Sequence, residues 1–474
     1  VPLIGREQPR QRLLSWAWEG ESLGSGLLWG EGGIGKTRLA AEIAQQLADQ
    51  GWITGFATTD LIPEGERVFL ILDDIEEQPQ RLDALLSALP QAEGRVRLLL
   101  IGRHPPESWH DAVDRSRAGR TWEGALVQLA APAPKMQVEI LREAMKAAAT
   151  HFGRPLPDLP ERRAALWLAR SERHRLPLYA CAAAIHAIFE GDEAFSLDAT
   201  AVMESLVQRQ LVRIDNAGDA GGWQRMAGSR LIGLAALGPG GFDSARLEEV
   251  ANPILELGIP GSHRIVEAVK TLGWWSGRRL PAPEPGPVAA ALLMKALGQE
   301  PNLAPEWLWG GLNPPDSGTL GRLARLSDDI AFLYGGTERR LDDWLMTMLQ
   351  GRPQRARALM ASAVPPPGGA LSPFLAFSAR LLVEEADTEA ERAARLAALG
   401  RHAAAAGRPD EAAKAVQDAV DLYRQLLGED LSLEPELAGA LEELARHYGQ
   451  AGRWFDAAWS AAEAVEMRRK EADS

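Results

Sequence analysis

Residues 30 to 37 read Gly30-Glu31-Gly32-Gly33-Ile34-Gly35-Lys36-Thr37, and this stretch limits the possible folds more than any other. Its spacing, G-x-x-x-x-G-K-[ST], is informative only where a strand delivers it and a helix follows. Both flanks are present: the apolar run Leu27-Leu28-Trp29 precedes it, and TRLAAEIAQQLA carries apolar residues at helical spacing after it. Glycines let the backbone curl until successive N–H groups point inward, and the helix N-terminus adds partial positive charge. Such a cradle fits the phosphates of a nucleotide. Gly30, Gly32, Gly33, Ile34 and Gly35 are the expected backbone contacts, with Arg38 beside them. Lys36 is expected to meet the β- and γ-phosphates and the Thr37 hydroxyl to ligate magnesium.

Short apolar runs from 52, 68 and 96 suit buried parallel strands, with helical patterns at 6–19, 37–49 and 79–89 and a fifth strand at 125–130. That alternation implies an α/β unit with a parallel sheet. VFLILDD, residues 68 to 74, delivers Asp73 and Asp74 at a strand's C-terminal end, where ligands collect in open sheets. Asp73 is expected to hold magnesium, usually through water, and Asp74 to orient or deprotonate an attacking water. The run VRLLLIG ends at Arg103, placed to reach a γ-phosphate. Lys36, Asp73, Asp74 and Arg103 are thus the predicted catalytic set. The G-x-S-x-G spacing of Gly20-Glu21-Ser22-Leu23-Gly24 is a decoy, because a nucleophile elbow needs a strand before the serine and a helix after it.

After Pro132 the pattern turns helical, and four segments follow from it. These are a phosphate-loop domain over 1–132, a small helical domain over 133–204, a winged-helix-like domain over 205–297 and a repeat domain over 298–474. In the third, helices at 224–237, 244–256 and 262–272 lead into WWSGRRLPAPEPGP, which resembles a wing. Its last helix offers only His263, Arg264 and Lys270 as basic groups, too few for a DNA-reading role. In the fourth, AAGRPDEAAKAVQDAV matches QAGRWFDAAWSAAEAV, with a weaker echo at 351–364. This is similar to the tetratricopeptide repeat in a longer-period form, an ordinary helical bundle being the alternative.

At 474 residues the chain is too long for one hydrophobic core. Its net charge of −14 opposes phosphate backbones, so nucleic acid is not an expected partner. The single cysteine, Cys181, excludes disulfides and thiolate zinc sites and reads as a small buried thiol. No histidine pair has metal-ligand spacing. With no membrane-spanning run and no signal-peptide pattern, a cytoplasmic location is expected.

Ile4-Gly5-Arg6-Glu7 ahead of the phosphate loop, the double aspartate, the strand-terminal Arg103 and Leu176-Pro177-Leu178 together resemble the signal-transduction ATPases with numerous domains. The nucleotide-binding modules of plant resistance proteins, apoptosome scaffolds and bacterial antiviral sensors belong to that class. The resemblance implies ATP or ADP with magnesium as cofactors. It places Ile4 and Arg6 about the adenine, Arg103 on the γ-phosphate and Pro177 on the base or ribose. It further implies a slow ATPase switch in prokaryotic defence or stress signalling, monomeric with ADP and homo-oligomeric with ATP. A trigger would bind the repeats, and the effector would lie upstream of Val1 or on a partner. There are departures: Arg175-Leu176 stands where relatives often have Gly-Leu, and LPAPEPGPVAAALL stands where a Met-His-Asp motif is expected. Rival expectations are the core of a repeat-containing transcription regulator and a AAA+ motor or loader.

Overall fold

The computed structural model describes residues 2–109, 113, 125–220, 223–250, 265–271, 273–363, 369–428 and 430–473. They form two compact units, Val1–Glu338 and Arg339–Ser474. The boundary falls later than residue 298, because two helices beyond that point, Ala304–Leu312 and Thr319–Tyr334, belong to the first unit.

The first unit begins with α1 (Glu7–Trp18), β1 (Leu23–Trp29) and α2 (Lys36–Ala48). There follow β2 (Ile53–Phe56), β3 (Arg67–Leu72), α3 (Pro79–Ala88), β4 (Arg95–Gly102) and β5 (Leu126–Gln128). Among the described residues these five strands form one parallel sheet in the order β2-β3-β4-β1-β5. Apolar side chains alternate between its faces as the strand period requires. Val68, Leu70 and Leu72 pack with Leu82, Leu85 and Leu86 of α3, whereas Phe69 meets the Trp16 ring of α1 edge-on. Both faces are covered over β3 and β4, which read as continuous apolar runs, whereas β2, expected to be buried, is an edge strand with Ile53 and Phe56 exposed. The order also inserts β4 between the strand that feeds the phosphate loop and the strand that carries the aspartates. Ser22 lies just before β1 and after α1, the reverse of a nucleophile elbow.

One charged residue in this sheet is not explained by its apolar neighbours. Arg97 of β4 is 1% exposed, and its guanidinium donates to the carbonyls of Trp16, Glu19, Glu21 and Ser22. It thereby ties the partly buried backbone that links α1 to β1 onto the sheet.

The rest of the first unit is helical. α4 (Pro134–Phe152), α5 (Glu161–Leu168), α6 (Pro177–Glu190) and α7 (Ala199–Ala220) come first. Then come α8 (Ala227–Leu234), β6 (Phe242–Asp243), α9 (Ser244–Val250), α10 (Ile265–Thr271) and β7 (Arg279–Leu280), with β6 and β7 paired antiparallel. Of the expected helices at 244–256 and 262–272, Ser244–Val250 and Ile265–Thr271 are described, and the rest, with His263 and Arg264, lies outside the described residues. Lys270 is paired with Glu267. α11 (Gly286–Leu297), α12 (Ala304–Leu312) and α13 (Thr319–Tyr334) complete the unit.

The second unit is all helical: α14 (Arg340–Leu349), α15 (Pro353–Met360), α16 (Ser372–Glu384), α17 (Glu389–Ala405), α18 (Pro409–Leu426), α19 (Glu434–Gln450) and α20 (Trp454–Asp473). The repeated glycines make the turns, Gly407 between α17 and α18 and Gly452 between α19 and α20, at φ of 73° and 75°. That left-handed geometry closes a helix end at little cost only for glycine. From α16 onward each helix packs chiefly on its sequence neighbours. Alanines at 393, 397, 415 and 419 bring the backbones close around Val416, Val420, Leu437 and Leu441. No helix among the described residues is long and apolar enough to cross a membrane.

Replacing Arg97 with Met should keep the volume but remove the guanidinium that ties the Trp16, Glu19, Glu21 and Ser22 carbonyls to the sheet. A loss of about 2 kcal/mol or more is expected. Calorimetry should place the first unit's melting transition several degrees lower; an unmoved transition would show that the carbonyls find other donors.

Candidate functional site

The sheet order converges three strand ends on one cavity of about 490 Å³ in the first unit. β1 leads into the loop Gly30–Gly35, whose glycines take positive φ at Gly30, Gly33 and Gly35. Gly35 then caps α2 at φ 98°, so the loop's amides are turned towards the start of that helix. Lys36 reaches back over the loop, its Nζ donating to the carbonyls of Gly30 (2.7 Å) and Glu31 (3.1 Å). Burial, and then the neighbouring Arg103, lower its pKa. A polyanion in the cavity would oppose both influences.

Beyond β3 the chain delivers its acids. Asp73 accepts a hydrogen bond from Thr37, which sets the two expected magnesium ligands side by side. Burial, helped by the adjacent Asp74, pushes the Asp73 pKa up to about 6. Asp74 adopts a left-handed conformation, φ 49°, which aspartate tolerates better than most residues, and so turns the chain into the short 3₁₀ segment Ile75–Glu77. Its amide donates to Asp73 Oδ1 at 2.9 Å, fixing the first carboxylate against the second residue's backbone.

Arg103 follows β4, and its amide donates to Glu76 Oε1 at 2.6 Å. Its guanidinium makes a two-pronged ion pair with Asp329 of α13, at 2.9 and 2.8 Å. One helical turn earlier, Arg325 donates to Asp74 Oδ2 at 2.7 Å and pairs with Glu77 at 2.5 Å. Burial acts to lower the Arg103 pKa, but the charge and hydrogen bonds of Asp329 outweigh it and the net shift is upward. Burial likewise raises Glu77, against the pull of Arg325.

α13 approaches this closely because of its glycines. A Cβ at Gly321 or Gly318 would collide with the backbone carbonyl of Glu76 or Glu77. At its other end the Leu333 carbonyl accepts from Arg173 and Thr200, both at 2.6 Å.

Three separate parts of the unit therefore wall the cavity. The sheet supplies Gly32, Gly33, Ile34, Gly35, Lys36, Thr37, Arg38, Asp73, Asp74 and Arg103, and Ile4 and Arg6 line it from the N-terminal segment. The helical segment supplies Ile140, Pro177, Leu178 and Cys181, and the third wall is Glu284–Pro287 with Arg325. Leu178 N–H donates to the Gly33 carbonyl at 3.3 Å, so α6 starts directly against the phosphate loop. Gly30 is not itself a lining residue, but its carbonyl anchors Lys36.

Some expected contacts have additional employment. The Arg6 guanidinium donates to the carbonyls of Ala130 (2.5 Å) and Ile34 (2.8 Å), bracing the loop from behind. Arg38 is exposed and faces Glu42 at 3.8 Å. Cys181 is half-buried at the cavity wall, its thiol pKa raised by burial, which disfavours a reactive thiolate.

Sequence reasoning missed Arg325, Asp329 and Glu284–Pro287. A readable signal existed for the first two: Arg322, Arg325 and Asp329 form a charged stripe at spacings of three and four on a helix otherwise lined by leucines. Such a stripe on a helix flanked by apolar residues needs buried partners.

No family model matches the chain, and no curated protein matches it. Solved structures similar to it include the ORC2 protein of Aeropyrum pernix in its ADPNP–ADP complexes. That structure shares 16% identity and a TM-score of 0.32, over 63% of this chain and 96% of that one. The ADP form of the same protein gives 17% and 0.30 with the same coverage. At that distance the chemistry of the site has to be argued from its own residues.

Replacing Lys36 with Ala should lower the affinity for labelled ATP by about 100-fold, the scale of lost charge-assisted contacts, while the circular dichroism stays native. Native affinity in the folded variant would remove Lys36 from the phosphate site.

Proposed function

We propose that this chain is an ATP- and ADP-dependent signalling switch of the class it resembles, with slow hydrolysis as the reset. The observation that carries the reading is the composition of the cavity wall. Loop, helical segment and Glu284–Pro287 meet there, so one bound nucleotide would touch three parts of the unit at once. A ligand shifts a conformational equilibrium only by its preference for one state, and contact with several movable parts is how such a preference arises.

The parts fit a nucleotide. The glycine loop offers amides and a helix start to the phosphates, and Pro177 with Ile4 and Ile140 offers apolar surface to the base. Magnesium, with Thr37 and Asp73 as its protein ligands, would neutralise charge across the β- and γ-phosphates. Lys36 would exchange the carbonyls of Gly30 and Glu31 for phosphate oxygens. Asp74, once free of Arg325, would orient the attacking water, and Arg103 would meet the γ-phosphate.

The helical repeats form a compact unit of their own, which suits a sensor that receives a trigger and need not take part in nucleotide binding. No second catalytic constellation was found in the sequence. We assign the output to an effector outside the nucleotide site and the repeats, with prokaryotic defence or stress signalling as the setting. Assembly into a homo-oligomer would require ATP together with the trigger, and the ADP form would be monomeric.

The purified chain should turn over ATP at about one per minute or slower, in the range of unassisted switch NTPases. Light scattering should report a monomer with ADP. Asp73→Ala should weaken magnesium-dependent binding, whereas Asp74→Ala should bind ATP and hydrolyse it more slowly. Rapid, trigger-independent turnover by a constitutive ring would favour a motor or loader, and equal binding losses in both aspartate variants would end their division of labour.

A further inference from the structure

The two-pronged pairing of Arg103 with Asp329 assigns a role to a residue outside the phosphate loop and its aspartates. We propose that Asp329 determines the phosphate count that this site prefers, favouring a nucleoside diphosphate over a triphosphate by occupying Arg103. The inference rests on the nucleotide-binding reading above.

The geometry is specific. Asp329 is 1% exposed and engages both terminal nitrogens of Arg103. The pair lies against the phosphate loop itself: a Cβ placed on Gly32 would fall 2.7 Å from Asp329 Oδ1 and 3.2 Å from Arg103 Nη2. A Cβ on Gly286, in the third wall, would collide with the other Asp329 oxygen. A buried carboxylate thus stands directly behind Gly32, Gly286 and Arg103, which line the cavity beside Lys36, Asp73 and Asp74, without being a lining group itself.

Two consequences follow from charge alone. A diphosphate reaching the loop and Lys36 leaves the Arg103–Asp329 pair intact. A third phosphate extends towards Asp329, whose like charge opposes it, and can gain Arg103 only by displacing that carboxylate. The cost of that exchange falls on the triphosphate and not on the diphosphate. Arg325 acts alongside, since it holds Asp74 through the same helix. The helix cannot simply slide away, because Gly318 and Gly321 seat one end against the backbone of Glu76 and Glu77 while Arg173 and Thr200 hold the Leu333 carbonyl.

The test is equilibrium binding of fluorescent ADP and of a slowly hydrolysed ATP analogue, with magnesium, to the full chain and two variants. The native chain should bind ADP more tightly than the analogue. Asp329→Asn keeps the side chain's shape and removes its charge, so it should tighten the analogue roughly tenfold, within the usual range of coupling between sites. Its affinity for ADP should stay within about twofold, because the diphosphate does not call on Arg103. In Arg103→Gln with Asp329→Asn no buried charge is left unpaired; the analogue loses both the opposing carboxylate and the guanidinium, so its affinity should fall between those of the native chain and of Asp329→Asn. A native chain that prefers the triphosphate overturns the proposal, as does an unchanged ratio in folded Asp329→Asn. Should that single variant not fold, the native preference and the neutral pair decide: a neutral pair that keeps the full native preference for ADP overturns it too. Failure of the native chain to bind either nucleotide would instead overturn the nucleotide reading and is a separate outcome.

Discussion

Taking a guanidinium out of water costs several kcal/mol unless its donors are met, and the first unit withdraws several of them, with Arg6, Arg103 and Arg325 lining one cavity. Arg97 and Arg6 are 1% and 5% exposed, and both are spent on backbone carbonyls. Arg103 and Arg325 are answered by carboxylates instead. The partners come from far along the chain: Arg103 and Asp329 are separated by 226 residues, Arg325 and Asp74 by 251. Because an unpaired buried charge is far more costly than a paired one, the sheet module and α13 are energetically one object. The catalytic end of the site is complete only when chain from both ends of the unit has come together, so its properties cannot belong to the phosphate-loop segment alone.

This way of closing the site bears on how it can change. Packed interiors deform little, and buried ion pairs do not stretch gradually; they exchange partners or persist. Each candidate catalytic group here already has a partner that is not substrate, with Lys36 on two carbonyls, Asp74 on Arg325 and Arg103 on Asp329. A ligand entering such a site replaces contacts more than it adds them. The net energy of binding is then a difference between similar quantities, and small changes in the ligand's charge have a large relative effect.

The parallel sheet was legible because buried strands announce themselves as apolar runs and the glycine loop fixes where one strand ends. Expected strands at 68 and 96 and helices at 37–49 and 79–89 match β3, β4, α2 and α3 within a residue or two. The turns between the later helices were legible from Gly407 and Gly452, each of which takes a left-handed φ. Less legible was anything set by long-range pairing. The role of Arg97 within its apolar run went unread, because its acceptors are carbonyls, and carbonyls have no signature in sequence. Arg6, expected about the adenine, braces Ile34 and Ala130 for the same reason. The late boundary at 338 was hidden likewise: α13 is a leucine-rich helix like those that follow it, and only its charged stripe and its glycines at 318 and 321 tie it to the sheet.

The two units also differ in how a disturbance inside each would spread. In the second, contacts run mainly between consecutive helices through small side chains, so its stability is close to a sum over neighbours and local changes can be absorbed turn by turn. In the first, Arg103 pairs with Asp329 while Arg325 is shared by Asp74 and Glu77, so removing either arginine or Asp329 leaves an opposite charge without its partner. Energetic coupling is strongest among groups in one network. A gradual response is therefore expected of the repeats and a discrete one of the cavity.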